Sequence, residues 1–223
     1  MVNQMMHTNA TGTPSQAYTH KKLRIGVLGL QGDFEAHVKA LKRAAEMLHL
    51  DIEAVVVKLP EHLSDLDGII LPGGESTTIG KLMVLYGLKE PLQRMIGEGV
   101  PFWGTCAGLI LLARETDNAL AGQPLLASMN IRVRRNAFGS QRESFETDLT
   151  VPELGEAPFH AVFIRGPSVE DVGPEVKVLA TLDDGTIVAV RQDSLLGTAF
   201  HPEVAGDPRF HDYFLRLVQS AKK

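Results

Sequence analysis

Short apolar runs alternate with amphipathic stretches through the first half of the chain. Leu23–Leu28 (LRIGVL) is a short apolar run that ends in glycines, the pattern of a strand buried on both faces. Asp33 then stands where it can cap a helix running to about His49, with Phe34, Val38, Leu41, Ala45 and Leu48 at helical spacing. Ile52–Val57 (IEAVVV) is β-branched and strand-like. Gly68–Leu71 predicts another buried strand, halted by Pro72-Gly73-Gly74, with Ser76, Thr77 and Thr78 available to cap the next helix. Val100–Trp103 predicts a fourth strand, and Cys106–Arg114 reads as a helix.

This alternation argues for a parallel sheet with helices on both faces. From about Ile131 the pattern changes. Strands are expected near 130–135, 144–149, 160–165, 176–181, 186–191 and 195–200, mostly separated by turn residues such as Asp183-Asp184-Gly185, and a closing helix over Pro208–Ser220. The expectation is a single flavodoxin-like three-layer α/β domain. Its central sheet is mostly parallel, with additional antiparallel strands in the C-terminal half.

Composition narrows the function classes. The 223 residues are 44% hydrophobic and 22% charged, with a net charge of −5, a globular balance without the basic excess of a nucleic-acid binder. One cysteine excludes an intramolecular disulfide and every multi-cysteine metal pattern, and it fits a reducing cytoplasm. No run reaches the ~18 apolar residues of a membrane helix. Residues 1–22 are polar, without the apolar core of a signal peptide, and read as a disordered extension before a domain over 23–223. Gly26, Gly29 and Gly32 are spaced G-x-x-G-x-x-G, which is not the dinucleotide fingerprint. No metal site and no cofactor are expected.

The lone thiol carries the chemistry. Gly104-Thr105-Cys106-Ala107-Gly108 follows a strand and opens a helix, the cysteine version of a nucleophile elbow. Its glycines allow a sharp bend, a helix N-terminus favours a thiolate, and the Ala107 amide would point toward an oxyanion. A nucleophilic cysteine needs a base. His7 and His20 fall in the extension, His37 and His49 on the first helix and far from the strand ends, and His62 and His160 lack a carboxylate at a suggestive spacing. His201 follows an apolar strand, Pro202 biases it to an extended backbone, and Glu203 two residues on would point the same way. A buried structural cysteine and a solvated loop histidine are the bland alternatives; elbow and His-x-Glu together favour an acyl-transfer triad.

These residues resemble the class I glutamine amidotransferases, with cysteine, histidine and glutamate in that chain order. Within that class, Gly29-Leu30-Gln31-Gly32-Asp33, Leu71-Pro72-Gly73-Gly74-Glu75-Ser76-Thr77-Thr78, Phe138-Gly139-Ser140-Gln141, Phe163-Ile164-Arg165 and Phe200-His201-Pro202-Glu203 are similar to the glutaminase subunits of pyridoxal 5′-phosphate synthase. The resemblance covers about residues 23 to 220. It implies Cys106, His201 and Glu203 as catalytic residues, Gly74 and Ala107 as the oxyanion hole, and Gly73, Gly74, Glu75, Arg135, Ile164 and Arg165 as the glutamine site. It also implies L-glutamine as substrate, no cofactor for this subunit, and a separate synthase subunit as partner, a dodecameric core carrying up to twelve glutaminases. Gln31 and Asp33 become possible interface residues. One departure stands out, Gly166 where the family more often has alanine.

The residues alone leave other readings open. A glutaminase of the same class could serve another pathway, the elbow cysteine could be a redox sensor on a non-enzymatic flavodoxin-like protein, or the triad could belong to a peptidase.

Overall fold

A computed structural model describes residues 22–118, 122–138 and 144–222. The expected extension lies outside the described residues, apart from Lys22. The elements of the first half are β1 (Leu23–Leu28), α1 (Phe34–Met47), β2 (Ile52–Val57), β3 (Gly68–Leu71), α2 (Ser76–Leu85), α3 (Lys89–Gly97), β4 (Phe102–Thr105), α4 (Ala107–Leu112) and β5 (Ala113–Asp117). There follow β6 (Met129–Arg134), β7 (Ser144–Leu149), β8 (Phe159–Ile164), β9 (Ser168–Val172), β10 (Lys177–Thr181), β11 (Ile187–Gln192), β12 (Leu195–Thr198) and α5 (Arg209–Ala221).

Ten strands form one sheet in the order β2-β1-β3-β4-β12-β11-β9-β6-β5, with β10 added beside β11. β2, β1, β3, β4 and β12 are mutually parallel, and β12–β11, β11–β9 and β9–β6 are antiparallel. The chain leaves β1 toward one edge, through α1 to β2, then returns to β3 and proceeds the other way to β4. Right-handed crossovers in opposite directions place the helices on opposite faces. The expected mostly parallel α/β domain with added antiparallel strands is therefore the observed one. β7 and β8 form a separate two-stranded sheet. Within it Phe145 stacks on Phe163 with ring centroids 4.5 Å apart, and the edge-on contact of Phe163 with Phe200 joins it to the core.

Several local expectations shift. The fourth strand runs over 102–105 rather than 100–103, so it carries its ladder right up to Cys106. The helix after Cys106 stops at Leu112, and Ala113 begins a strand paired with β6. That stretch is continuously apolar, so periodicity could not separate helix from strand. α3 and β9 also lie outside the sequence reading; β9 is a short strand whose alternation is broken by Glu170 and Asp171. α2 is capped by Glu75 rather than by Ser76, Thr77 or Thr78: the Glu75 carboxylate accepts from the Thr77 and Thr78 amides.

Candidate active site

The parallel run β1, β3, β4, β12 sends four loops to one edge of the sheet. In doubly wound sheets this edge, where the strand order reverses, is where ligands bind. The loop after β1 carries Gln31, that after β3 carries Gly73 and Gly74, that after β4 is Cys106, and that after β12 leads to His201 and Glu203.

The elbow is built by close packing. A side chain on Gly104 would run into the Gly108 backbone, and one on Gly108 would collide with the Leu71 carbonyl. With helix and strand this tightly apposed, the connecting residue is forced to φ 48° and ψ −104°, a conformation rare for a residue with a Cβ. That residue is Cys106. Its amide donates to the Thr198 carbonyl at 2.8 Å, which pins the elbow to β12. Its Sγ lies 3.9 Å from the Ile164 carbonyl at the end of β8. Ala107 opens α4, so its amide has no acceptor within the helix.

His201 is held by its own amide, which donates to the Val162 carbonyl at 2.8 Å. Its Nδ1 lies 2.7 Å from Glu203 Oε1. The expected common direction of His201 and Glu203 is present, but a turn makes it, not extended chain: the Val204 amide donates back to the His201 carbonyl. Burial works to lower the His201 pKa, and hydrogen bonds to Cys106 and Glu203 outweigh it, so the ring is pushed up to about 10. With Nδ1 taken by Glu203, the other ring nitrogen serves the thiol.

Gly73 lies directly over this pair, since a Cβ there would strike the His201 ring and reach to 3.4 Å from Cys106 Cβ. Gly74 has φ 147°, and the Glu75 amide beside it donates to Gln31 Oε1 at 2.8 Å. Gln31 thus braces the Gly73-Gly74 loop from inside this chain.

Glu75 and Arg135 close on each other, with Arg135 Nη2 donating to Glu75 Oε1 at 2.9 Å. Arg135 Nη1 also donates to Gln123 and Thr77. Partial burial works to raise the Glu75 carboxyl, but hydrogen bonds from Thr78 and Thr77 overcome it and hold it at about 2. Ile164 ends β8 and is half-exposed, and Arg165 follows with φ 47°. Gly166 is buried, and a Cβ there would come 2.9 Å from the Ala199 carbonyl, so this backbone fits glycine closely. Of the Phe138-Gly139-Ser140-Gln141 motif, Phe138 packs edge-on against Phe145 and Phe163, and the other three residues lie outside the described ones.

The chain matches the SNO glutamine amidotransferase family over residues 27–220. It belongs to that family. Among the most similar members is a pyridoxal 5′-phosphate synthase subunit PdxT from Herpetosiphon aurantiacus, 56% identical over 196 residues that span 87% of this chain and 100% of that protein. A subunit of the same name from Leifsonia xyli subsp. xyli is 54% identical, covering 87% and 96%. A crystal structure of a glutamine amidotransferase superposes with a TM-score of 0.78 at 47% identity, covering 87% of this chain and 98% of that one. The SNO assignment agrees with the resemblance carried by the sequence motifs.

Two histidine expectations are overturned. His160 does have carboxylate partners: β7–β8 pairing sets Asp148 opposite it and Glu146 one step diagonal, each 2.9 Å from a ring nitrogen. Strand register, invisible in spacing along the chain, makes that contact. His37 was expected far from the strand ends, yet it is fully buried against Glu203. The available signal was its place on the apolar stripe of α1, three residues after Phe34. Among the described residues no three His, Cys, Asp or Glu side chains are grouped to hold a metal ion, and no helix is long and apolar enough to cross a membrane.

Proposed function

We propose that this chain hydrolyses L-glutamine to glutamate and ammonia through Cys106, His201 and Glu203, and passes the ammonia to a separate synthase subunit that makes pyridoxal 5′-phosphate. The observation that carries the reading is the His201 ring, clamped at 2.7 Å by Glu203 and hydrogen-bonded to a thiol on a strained elbow.

Cys106 Sγ attacks the side-chain amide carbon after its proton passes to His201. The oxyanion of the tetrahedral intermediate takes hydrogen bonds from the amides of Ala107 and Gly74. His201 returns a proton to the departing nitrogen, which leaves as ammonia, and a thioester remains. Water, deprotonated by His201, then releases glutamate. Glu203 holds the ring in the tautomer that presents its other nitrogen to sulfur. A ring pushed up to about 10 retains the proton it has taken from Cys106 and is ready to pass it to the leaving group.

A free amino acid presents an ammonium and a carboxylate. Glu75 supplies one acid, and Arg135 and Arg165 supply cations of the kind that bind carboxylates. Gly73 and the Ile164 carbonyl border the thiol and complete the glutamine site. The Glu75–Arg135 pair has to loosen for both to engage substrate. Ammonia reacts as a nucleophile only while unprotonated, so delivery away from bulk water requires a docked partner. In this reading the partner is a dodecameric synthase core with up to twelve glutaminase subunits, working in the cytoplasm.

The test is glutamate release from glutamine, with and without the vitamin B6 synthase subunit, for wild type and Cys106→Ala. Stimulation of wild type by the partner and a dead alanine variant support the reading. Activity indifferent to that partner keeps the chemistry and discards the pathway; no release under either condition discards the glutaminase.

A further inference from the structure

Behind the proposed triad lies a second pair of imidazoles with no part in the chemistry above. His37 on α1 and His211 on α5 are both fully buried, and His37 Nδ1 lies 3.1 Å from His211 Nε2. His37 Nε2 lies 3.2 Å from Thr105 Oγ1, in the residue before the nucleophile, and 3.3 Å from Glu203 Oε2. Trp103 packs edge-on against both rings, at 5.8 Å and 4.8 Å between centroids. The groups therefore form one line: thiol, His201, Glu203, His37, His211.

The protons on this line can be assigned. Glu203 Oε2 is buried and takes no well-aligned hydrogen bond, so a lone pair on the facing His37 nitrogen would add repulsion to a desolvated carboxylate. His37 Nε2 must carry hydrogen, directed between Oε2 and Thr105. Its Nδ1 is then an acceptor, His211 Nε2 the donor, and His211 Nδ1 a bare lone pair. His211 Nδ1 is indeed buried without a partner. The opposite assignment would bury an orphaned N–H there, which folded proteins avoid more strictly than an orphaned acceptor. Both rings are neutral: desolvation lowers both, for His37 helped by the charge of His201, and His211 is pushed down to about 3.

We infer that His37 is a positioning residue for the hydrolytic centre, steadied by His211, that orients the Glu203 carboxylate toward His201. The inference rests on the triad reading above. Glu203 has one oxygen on His201 Nδ1; without a donor beyond the other, the carboxylate can rotate about its terminal bond and carry the imidazole with it. A neutral donor steadies it without competing for its charge, as an imidazolium would. The carboxylate's negative charge then remains directed at His201.

The experiment measures kcat and KM for glutamine in the complex with the synthase subunit, on His37→Leu, which removes the donor, and His37→Gln, whose amide N–H can occupy the place of Nε2–H. Misplacement of about an ångström can cost on the order of a hundredfold, and His37→Leu is expected to lose about tenfold to a hundredfold in kcat with KM unchanged. His37→Gln is expected to recover most of that loss. In a Glu203→Ala background, His37→Leu should cost nothing further, because the effect passes through the carboxylate. Nitrogen-15 NMR of the wild-type full chain reads the tautomer whether or not the variants fold, and Nε2 should be the protonated nitrogen of His37. A folded His37→Leu protein with wild-type kcat, equal losses in the Leu and Gln variants, additive losses with Glu203→Ala, or protonated Nδ1 would each overturn the inference. Failure of the triad reading is distinguishable, since wild type would then release no glutamate that depends on Cys106.

Discussion

Cys106, the proposed nucleophile, depends on its neighbours more than on any special property of its own. Its positive φ is a strained state, of order 1–3 kcal/mol for a residue with a side chain, and the surrounding packing enforces it. Gly108→Ala places a Cβ against the Leu71 carbonyl, in a backbone that cannot yield without moving β3. The expected outcome is a loss of about 3 kcal/mol of stability, read as a lowered urea midpoint, and a release of the strain that aims the thiol. At Glu203 the isosteric Gln keeps volume but replaces an acceptor with a group that can present N–H to His201. Loss of the orienting charge should lower kcat by about a hundredfold to ten-thousandfold, measured in the complex; an unchanged rate would move Cys106 back toward a redox role. That Cys106, His201 and Glu203 lie together was legible because each sits in a short local pattern. His37 was not, because its partner is 166 residues away and only packing brings them together.

At the level of elements, α1 and α5 face each other through the two buried histidines. In the unfolded chain both rings take up protons near pH 6.5; in the fold both remain neutral well below it. The unfolded state therefore binds more protons, and stability falls as pH is lowered through 6.5. The slope is at most about 1.4 kcal/mol per pH unit for each histidine. His201 and His160, raised by the fold, give up stability only at higher pH, and the depressed carboxyls of Glu75 and Asp207 contribute only nearer pH 4. Between pH 6.5 and 5 the histidine pair outweighs the opposing, fading contribution of His201 and His160. Urea midpoints of wild type should fall across that interval, and those of His211→Gln should fall about half as steeply; identical slopes would place the acid sensitivity elsewhere. The same elements show what periodicity reads well. α1 and α5 each present one apolar stripe and were found with nearly the observed bounds. α4 was run on to Arg114, into the start of β5, because the stretch 107–113 is buried on all sides and carries no period; the rest of β5 was not foreseen.

For the whole molecule, the doubly wound half was legible from strand-helix alternation and the antiparallel half from its close turn spacing. The order of strands was not, because no local pattern says that β12 pairs with β4. The site spans loops from residue 31 to residue 203, and only that order closes them into one edge. In the proposed complex the Gly73-Gly74 loop responds to the synthase subunit, so the full chain alone should hydrolyse glutamine slowly and gain rate on mixing with the partner. Equal steady-state rates for free chain and complex would refute that coupling.

The central place of β12 also governs how the protein is made. β12 enters the sheet between β4 and β11, some of its partners lying more than ninety residues earlier. Pairings this distant in sequence form slowly, since the chain must close a long loop before any contact compensates. On the proposed triad, a nascent chain has no working thiol until β12 has emerged and found the middle of the sheet. The protein carries its own reporter of that event: its single tryptophan, Trp103, donates from the indole to Thr198 of β12 at 3.2 Å. On refolding from urea, the late fluorescence change and the return of glutamine hydrolysis should share one time course. Synthesis thereby keeps the thiol disarmed until the fold is complete.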